Sequence, residues 1–189
     1  MRTLIIEKVD LREKFEKTIT NYPLIKAQLQ TQGIYTALLA LACDRLGADD
    51  ASVFLLNAPE ENLEVVLDRR PERQAFVGFK QPTTRGIVSM VVWNEHGISL
   101  SNVHEHEMFD DTADRTFHYE TRSMMALPLL VNGRVIGVVS VVNKLVPGSG
   151  ASRSFAKEFT DDDMNELATA VSAMGHTLRS QILEKLVMV

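Results

Sequence analysis

Two stretches of this sequence carry residues whose types and spacing could bind a metal or a ligand. In the first, His104, Glu105, His106 and Glu107 are consecutive, and in an extended segment side chains two residues apart share a face. That spacing could present two imidazoles to one metal ion. No third ligand follows at a familiar zinc spacing, so a solvated polar loop is the favoured interpretation and no metal is expected.

The second stretch is Gly86–Val88, which has the chemistry of an anion site. Glycine lets the backbone approach a ligand closely. The amides of Ile87 and Val88 would open a helix, whose dipole favours negative charge. Asp68, followed by Arg69 and Arg70, is a separate cluster of charges, which by itself favours a solvated strand end.

Composition excludes several classes of protein. The chain has 189 residues, 45% of them apolar and 24% charged, and a net charge of -5. This is ordinary globular composition for one domain with a helical extension. A negative charge argues against a nucleic-acid partner, and no apolar run approaches the ~20 residues that span a bilayer. We therefore expect a cytoplasmic domain with no membrane or nucleic-acid partner.

The sequence gives no support for catalysis. It contains no Gly-rich phosphate loop of a nucleotide hydrolase, no convincing Ser/His/Asp order and no paired carboxylates in a plausible cleft. Its one cysteine, Cys43, allows no internal disulfide or cysteine metal cluster. Cys43 lies on the apolar side of a predicted helix, where a buried structural thiol is the ordinary case.

Hydrophobic periodicity predicts the elements that must position these residues. We expect helices over 3–20, 24–46, 87–96 and 112–120, and a long helix from residue 160. We expect strands over 51–56, 63–67, 98–102, 123–131 and 134–143, with Asn132 and Gly133 forming a hairpin turn. The second helix has an apolar stripe: Leu24, Leu29, Ile34, Leu38, Leu41, Ala42 and Leu46.

The last helix has a clear start and an ambiguous apolar face. Thr160 suits the N-cap and Asp163 the third position of a capping box, which explains the neighbouring acids without calcium. Its apolar residues are Met164, Leu167, Val171, Met174, Leu178, Ile182, Leu186 and Val189. Their spacing resembles a heptad seam more than a simple buried face, with core packing of the first half as the alternative.

Over residues 30–180 the sequence resembles the GAF domains, most closely the cyclic-nucleotide-binding ones that regulate phosphodiesterases and adenylate cyclases. The residues that carry the resemblance lie at 52–56, 86–88, 102–109, 119–123, 128–129, 135–138 and 143–144. The resemblance implies an α+β fold (an α/β sandwich). Its antiparallel sheet of about six strands would carry two or three long helices on one face, and short helices and loops over a ligand pocket on the other.

The same resemblance implies the domain organisation of the chain. Residues 1–22 would form an N-terminal dimer or linker helix and residues 23–180 the GAF domain. Residues 160–189 would continue as a dimer and signalling helix. The family's structural motif falls on Asn143, Lys144, Phe159 and Asp163, with Met164 in place of its final glutamate. A Lys144–Asp163 salt bridge above Phe159 would then join the sheet edge to the last helix.

By resemblance, the ligand-contacting positions fall on Ser52, Leu67, Asp68, Ile87, Val88, Asp110, Asp114, Phe117, Thr121 and Ser140. Ser52, Asp68, Asp114 and Thr121 match residues of the family at these places, whereas Ser140 replaces a larger acid and Asp110 an aromatic residue. Leu67 and Phe117 would sandwich the base, and Thr121 would donate to phosphate or ribose. A carboxylate at Asp68 suits guanine, while Arg69 or Arg70 could donate to adenine, so cAMP and cGMP both stay open.

Other ligands of the fold fit less well. His118 could face a haem or tetrapyrrole, but bilin-binding GAF domains attach pigment through a cysteine that is absent there. GAF domains that reduce free methionine sulfoxide use several cysteines. The leading hypothesis is therefore a non-enzymatic sensor of cAMP or cGMP, a homodimer that signals to an effector, possibly fused C-terminally. A structural dimerisation module and a sensor of another small molecule are the alternatives.

Overall fold

One antiparallel sheet lies at the centre of the molecule. The computed structural model describes residues 2–70, 75–148, 154–155 and 158–188, with side chains from Asp10 onward, and within them six strands form this sheet. In chain order the strands are β1 (Ala48–Asn57), β2 (Asn62–Asp68), β3 (Lys80–Pro82), β4 (Ile98–Leu100), β5 (Met124–Val131) and β6 (Arg134–Lys144). Across the sheet the order is β3–β2–β1–β6–β5–β4.

Six α-helices lie within the same described ranges. They are α1 (Arg2–Ile19), α2 (Tyr22–Thr31), α3 (Gly33–Leu46), α4 (Ile87–Asn94), α5 (Thr112–Phe117) and α6 (Asp161–Val187). None of them is both long enough and apolar enough to cross a membrane. The sheet with these helices confirms the predicted α+β fold.

Two hairpins connect neighbouring strands, and the one at Asn132 and Gly133 is the predicted one. A 3₁₀ turn, Ala58–Glu60, joins β1 to β2. Asn132 and Gly133 join β5 to β6 with φ values of 55° and 77°. Two successive positive φ values define the turn that matches the twist of a hairpin, and Asn-Gly is the pair that adopts it most readily.

Each face of the sheet is buried under a different layer. On one face, Val53 and Val139 pack with Leu39 of α3 and Leu167 and Leu178 of α6 in the helix-side core. On the other face, Val65 and Val138 pack with Val88 and Val91 of α4 in the pocket-side core. Because both faces are covered, β1 and β6 are almost continuously buried and not alternately exposed.

The predicted single helix over 24–46 is wrong, because Gln32 interrupts it. Gln32 has extended dihedral angles, φ -101° and ψ 106°, and separates α2 from α3. The break changes the phase of the apolar stripe. Ile34 and Leu41 are therefore exposed, while Tyr35 and Leu39 enter the core.

Smaller differences concern the short elements. Strand β3, which was not predicted, pairs with β2 at the sheet edge, where Pro82 is tolerated. Helix α5 ends at Phe117, before the predicted end, because His118 adopts a left-handed conformation with φ 51°. The segment around His104–Glu107, predicted as a polar loop, contains a 3₁₀ turn, Val103–Glu105.

The heptad-seam interpretation of α6 is wrong over most of the helix. Leu167, Val171, Met174, Leu178 and Ile182 are at most 5% exposed and lie in the helix-side core. The alternation of three and four residues therefore describes a face buried within one chain. Val189 lies outside the described residues.

The structure has the predicted N-cap of α6, and the Lys144–Asp163 ion pair lies next to it. Thr160 and Asp163 form a capping box. Lys144 Nζ lies 2.7 Å from Asp163 Oδ1 and 5.7 Å from the centre of the Phe159 ring. Lys144 ends β6, a central strand and not the sheet edge as predicted, so this ion pair attaches α6 to the middle of the sheet.

The half-buried side-chain amide of Gln181 connects α2 and α3 to α6. Gln181 Oε1 accepts hydrogen bonds from Gln28 Nε2 of α2 and from the Tyr35 hydroxyl of α3, each 2.6 Å long. Gln28 and Tyr35 are 5% and 0% exposed. One carbonyl oxygen on α6 thus has partners on both α2 and α3.

The contact between α6 and β5 requires a glycine, which gives a first prediction. A Cβ at Gly175 would lie 2.2 Å from the Leu130 carbonyl oxygen. Gly175→Ala should therefore lower the free energy of unfolding by about 1–3 kcal/mol, because backbone must move on both sides. Gly33→Ala, whose Cβ would meet nothing within 4 Å, is the control and should cost nothing. Equal urea midpoints for Gly175→Ala and wild type would contradict this packing.

The Lys144–Asp163 pair gives a second prediction. Burial alone would raise the pKa of Asp163, but hydrogen bonds from Lys144 and Thr160 outweigh it and lower that pKa. The pair therefore stabilises the fold above the ordinary aspartate pKa of about 3.9, and its contribution is lost as pH falls through the lowered folded pKa. Lys144→Met should lower the free energy of unfolding by about 1–3 kcal/mol at pH 7. This loss should become progressively smaller as the pH is lowered.

Urea unfolding at several pH values measures this difference. Lys14→Met is the matched control, because Lys14 pairs with Asp10 at 2.6 Å while both side chains are more than half exposed. We expect it to change stability by less than about 0.5 kcal/mol. A cost for Lys144→Met that did not shrink at low pH would rule out the ion pair as its source.

Candidate functional site

A small cavity lies on the pocket side of the sheet, between β1 and β6 on one side and α4 and α5 on the other. Its volume is about 60 Å³. Seven of the ten predicted ligand-contacting residues line it: Ser52, Ile87, Val88, Asp110, Asp114, Thr121 and Ser140. The fold therefore brings residues from β1, α4, α5, β6 and two loops to one place.

Leu67 is not in this cavity, and the prediction that it would sandwich a base is wrong. The pairing of β1 with β2 shifts register between Val53 and Phe54. A bulge of this kind places two residues of one strand opposite one residue of its partner. Val66 and Leu67 therefore both lie in the helix-side core.

Asp68 and Phe117 also lie outside the cavity lining. Asp68 is 6% exposed, accepts a 3.0 Å hydrogen bond from the Ser52 hydroxyl and accepts another from the Arg70 amide. Phe117 packs edge-on against the rings of Phe76 and Phe79, with centroids 5.1 and 5.6 Å away. Asp68 therefore supports the Ser52 wall, and Phe117 closes one side through an aromatic cluster.

Several lining residues were not predicted. Asp50 and Phe54 flank Ser52 on the same face of β1, and Val142 follows Ser140 on β6. The two-residue period of a strand would have found them once Ser52 and Ser140 were chosen. Phe76, Gln81, Phe109 and Tyr119 come from loops or a short strand, where no such period applies.

Thr121 and Asp114 form one unit in the cavity wall. Asp114 accepts hydrogen bonds from both the amide and the hydroxyl of Thr121, each 2.7 Å long. Asp114 is in the first turn of α5 and Thr121 follows that helix. The carboxylate therefore closes the loop after α5 and fixes the direction of the Thr121 side chain.

Asn143 holds this loop against the sheet. Its Oδ1 accepts from the amides of Arg122 and Ser123, and its Nδ2 donates to the Tyr119 hydroxyl and the Glu120 carbonyl. Asn143 is 1% exposed and has a left-handed φ of 58°, which asparagine tolerates better than most residues. Every donor and acceptor of its side-chain amide thus serves the segment that carries Thr121.

A buried ion-pair network supports the floor of the cavity. Arg70 Nη2 lies 2.6 Å from Asp49 Oδ2, which also accepts a 2.8 Å hydrogen bond from the Tyr119 hydroxyl. Burial, followed by the bond to Asp49, raises the pKa of Tyr119. Burial would lower the pKa of Arg70, but Asp50 and Asp49 together raise it. Arg70 is therefore a fixed structural cation.

Arg85 and Asp110 meet at the rim of the cavity. Arg85 Nε lies 2.8 Å from Asp110 Oδ2, and their side chains are 57% and 10% exposed. Burial would raise the pKa of Asp110, but hydrogen bonds from Thr112 and the charge of Arg85 lower it. Asp110 is therefore ionised at neutral pH, like an ordinary aspartate.

The cavity combines two kinds of chemistry. Ile87 and Val88 begin α4, so their amides are at the end of the helix that favours negative charge. Facing them are the carboxylates of Asp50, Asp110 and Asp114 and the hydroxyls of Ser52, Thr121 and Ser140. The carboxylates and hydroxyls can accept hydrogen bonds from a polar ligand, and the α4 amides can donate to an anionic group of the same ligand.

The remaining candidate residues lie elsewhere. The His104 ring packs on Phe109, and His106 Nδ1 accepts from the Met108 amide. Among the described residues, no three His, Cys, Asp or Glu side chains converge as metal ligands would. Cys43 lies in the helix-side core, where burial raises its pKa to about 12.

A larger groove of about 560 Å³ lies between α6 and the β5–β6 hairpin. Leu127, Leu130, Val171 and Gly175 contribute to its walls, and none of the predicted site residues reaches it. We therefore place the candidate site in the smaller cavity, where the polar groups converge.

A family profile described as the GAF domain matches residues 30–178. The chain belongs to this family, which defines it as a regulatory sensor domain. The predicted resemblance is thereby confirmed.

Curated relatives of the chain include cyclic-nucleotide phosphodiesterases. A probable 3',5'-cyclic phosphodiesterase of Caenorhabditis elegans is 30% identical over 106 residues, which are 51% of this chain and 15% of that protein. A cone cGMP-specific phosphodiesterase subunit of Mus musculus is 29% identical over 53% of this chain and 11% of its own length. The chain therefore spans only a small part of these relatives.

Solved structures with the same fold come from other functional settings. The GAF domain of an Acinetobacter phosphoenolpyruvate-protein phosphotransferase has a TM-score of 0.60 at 18% identity, covering 91% of this chain and 92% of that one. A free methionine-R-sulfoxide reductase of Neisseria meningitidis has a TM-score of 0.59 at 16% identity, covering 88% and 90%. At these identities the likeness establishes the fold alone.

Two substitutions at Asn143 separate its backbone and side-chain roles. Asn143→Gly keeps the left-handed backbone and removes four hydrogen bonds, so it should cost about 2–3 kcal/mol of unfolding free energy. Asn143→Ala should cost about 1 kcal/mol more, because alanine is strained there. Urea unfolding gives both values. Equal stability of the two variants would show that the positive φ carries no penalty.

Proposed function

We propose that this chain is a non-enzymatic sensor domain whose cavity binds a cyclic nucleotide, cAMP or cGMP. The observation that carries the proposal is the opposition of the α4 N-terminus, at Ile87 and Val88, to the Asp114–Thr121 unit across one cavity. A cyclic nucleotide has the matching polarity, with an anionic phosphodiester at one end and hydrogen-bonding ribose and base groups at the other. The similarity to proteins named as cyclic-nucleotide phosphodiesterases supports the same ligand class.

Binding by this cavity requires movement. A volume of about 60 Å³ has room for roughly two waters, whereas small-molecule pockets usually hold ~300–1,000 Å³. The covering segment, residues 102–121, contains only one short α-helix, α5. We propose that this segment opens to admit the nucleotide and closes over it, and that the ligand favours one of these arrangements.

A short series of contacts connects this segment to α6. Asn143 binds the backbone that follows Thr121, and the next residue, Lys144, pairs with Asp163 in the first turn of α6. We propose that ligand-dependent movement of the segment reaches an effector through this helix. The effector would be a partner or a domain that follows α6, in a homodimer located in the cytoplasm.

A dimer of this kind would not use the buried stripe of α6. Its apolar residues between Leu167 and Ile182 are occupied within the chain. Ile34 and Leu41 of α3, which are 45% and 55% exposed, offer apolar surface to a second copy. The same observation favours the alternative of a structural dimerisation module that works without a nucleotide.

A second alternative has its own support. Asp50, Asp110 and Asp114 all line the cavity, and carboxylates at close range oppose an anion. This observation favours a sensor of a different, cationic small molecule. Chemistry at a thiol, by contrast, has no support at this site, because Cys43 is in the opposite core.

Thr121→Ala tests the nucleotide proposal. The change removes a hydroxyl at the cavity wall while the Thr121 amide can still donate to Asp114. We expect about tenfold weaker binding of cAMP or cGMP in isothermal titration, with little change in thermal stability. Thr116→Ala, on the exposed side of α5, is the matched control and should bind as wild type does.

Two results would contradict the proposal. If folded wild-type protein gave no heat with either nucleotide, cyclic-nucleotide binding would be wrong and the alternatives would take its place. If wild type bound but Thr121→Ala bound equally well, the ligand would occupy a different site.

A further inference from the structure

The α4 amides can hold an anion in this cavity, but the described residues of the lining include no side-chain cation to balance its charge. Asp50, Asp110 and Asp114 are part of the lining, and their charges oppose a phosphodiester. Arg70 lies nearby, but it is 11% exposed and paired with Asp49 at 2.6 Å. Moving Arg70 to a ligand would break the network below the cavity. The compensating charge must therefore come from the rim.

Arg85 is the cation at the rim, and its backbone is firmly anchored. The Arg85 carbonyl oxygen accepts hydrogen bonds from Gln81 Nε2 at 2.8 Å and from the Ser89 hydroxyl at 2.7 Å. The following residue, Gly86, turns the chain into α4 with φ 88°. Arg85 is thus fixed next to the Ile87 and Val88 amides, while its side chain remains 57% exposed.

The contact of Arg85 with Asp110 leaves most of the guanidinium available. Nε makes the 2.8 Å contact with the carboxylate, and within the described ranges Asp110 is the one acidic partner of the guanidinium. A guanidinium can bind a phosphate through two parallel N–H groups. Arg85 therefore retains donors for an anion in addition to its resting partner.

An independent observation indicates that the cavity is built for a polar ligand. Ser140 on β6 is 4% exposed and lines the cavity, yet within the described part of the chain its hydroxyl has no hydrogen-bond partner. Among the described residues Asn62 Oδ1 is the only fully buried side-chain oxygen or nitrogen without a partner, so the Ser140 hydroxyl is reached from the cavity and can donate to or accept from a group that enters it. A ligand that reached Ser140 would satisfy this group.

We propose that Arg85 is an anion-binding residue of this site, which exchanges Asp110 for the phosphodiester when the ligand enters. This inference rests on the proposed function and adds a residue to it. In the resting state Asp110 holds the guanidinium at the rim. In the bound state Arg85 and the α4 amides neutralise the ligand together, and Asp110 is released. Arg85 therefore decides between a nucleotide and the corresponding uncharged nucleoside.

The experiment compares variants by isothermal titration with cAMP, cGMP, adenosine and guanosine. Arg85→Gln should bind the cyclic nucleotides about 10- to 100-fold more weakly and the nucleosides as wild type does. The affinity of Arg85→Lys for the cyclic nucleotides should lie between those of wild type and Arg85→Gln, since an ammonium is a point charge without the planar fork of a guanidinium. Asp110→Asn should bind cyclic nucleotides more tightly, because it removes both the competing partner and a like charge.

Arg115→Gln is the matched control. Arg115 is another exposed arginine near the site, paired with Asp111 at 3.1 Å, and its loss should leave all affinities unchanged. Thermal unfolding of each variant checks the fold. Exposed ion pairs contribute only about 0–1 kcal/mol, so the melting temperatures should hardly change.

Three outcomes would overturn the inference. Unchanged cyclic-nucleotide affinity in Arg85→Gln would remove Arg85 from the site. Equal weakening by Arg85→Gln and Asp110→Asn would make the pair a structural latch without partner exchange. Absence of cyclic-nucleotide binding by folded wild type would overturn the proposed function itself, and this inference with it.

Discussion

The geometry of the site depends on the hydrogen bonds that the side-chain amide of Asn143 makes. Four hydrogen bonds join it to residues 119–123, so the wall that carries Thr121 is attached to the end of a central strand. The left-handed backbone of Asn143 directs the amide toward that segment. Without it, the segment between α5 and β5 would lose four hydrogen bonds to the sheet and keep only its bonds to Asp49 and Asp114 among those described above.

Adjacent residues on β6 serve the two layers of the fold. Asn143 holds the pocket-side loop, and Lys144 holds α6 through Asp163. The strand is central, with β1 and β5 on either side. The cavity wall and α6 are therefore attached to adjacent residues of the same strand.

Much of the fold could be predicted, because it follows from local rules. The Asn132–Gly133 hairpin and the Thr160 cap are fixed by residues close in sequence. The break at Gln32 could not be predicted, since glutamine favours helix and a helix tolerates the single glycine that follows it. Leu67 was misplaced because a bulge depends on the partner strand. The buried face of α6 was mistaken for a seam because both have the same spacing of three and four, and only the neighbouring helices distinguish them.

The hydrogen bonds to Gln181 have a mechanical consequence. A single oxygen on α6 receives donors from α2 and α3, and both bonds are short and partly buried. Rotation of α6 about its own axis would break them together, whereas a tilt that carries all three helices along preserves them. These two bonds therefore couple α2, α3 and α6, so that a movement of α6 that keeps them must carry the other two helices with it.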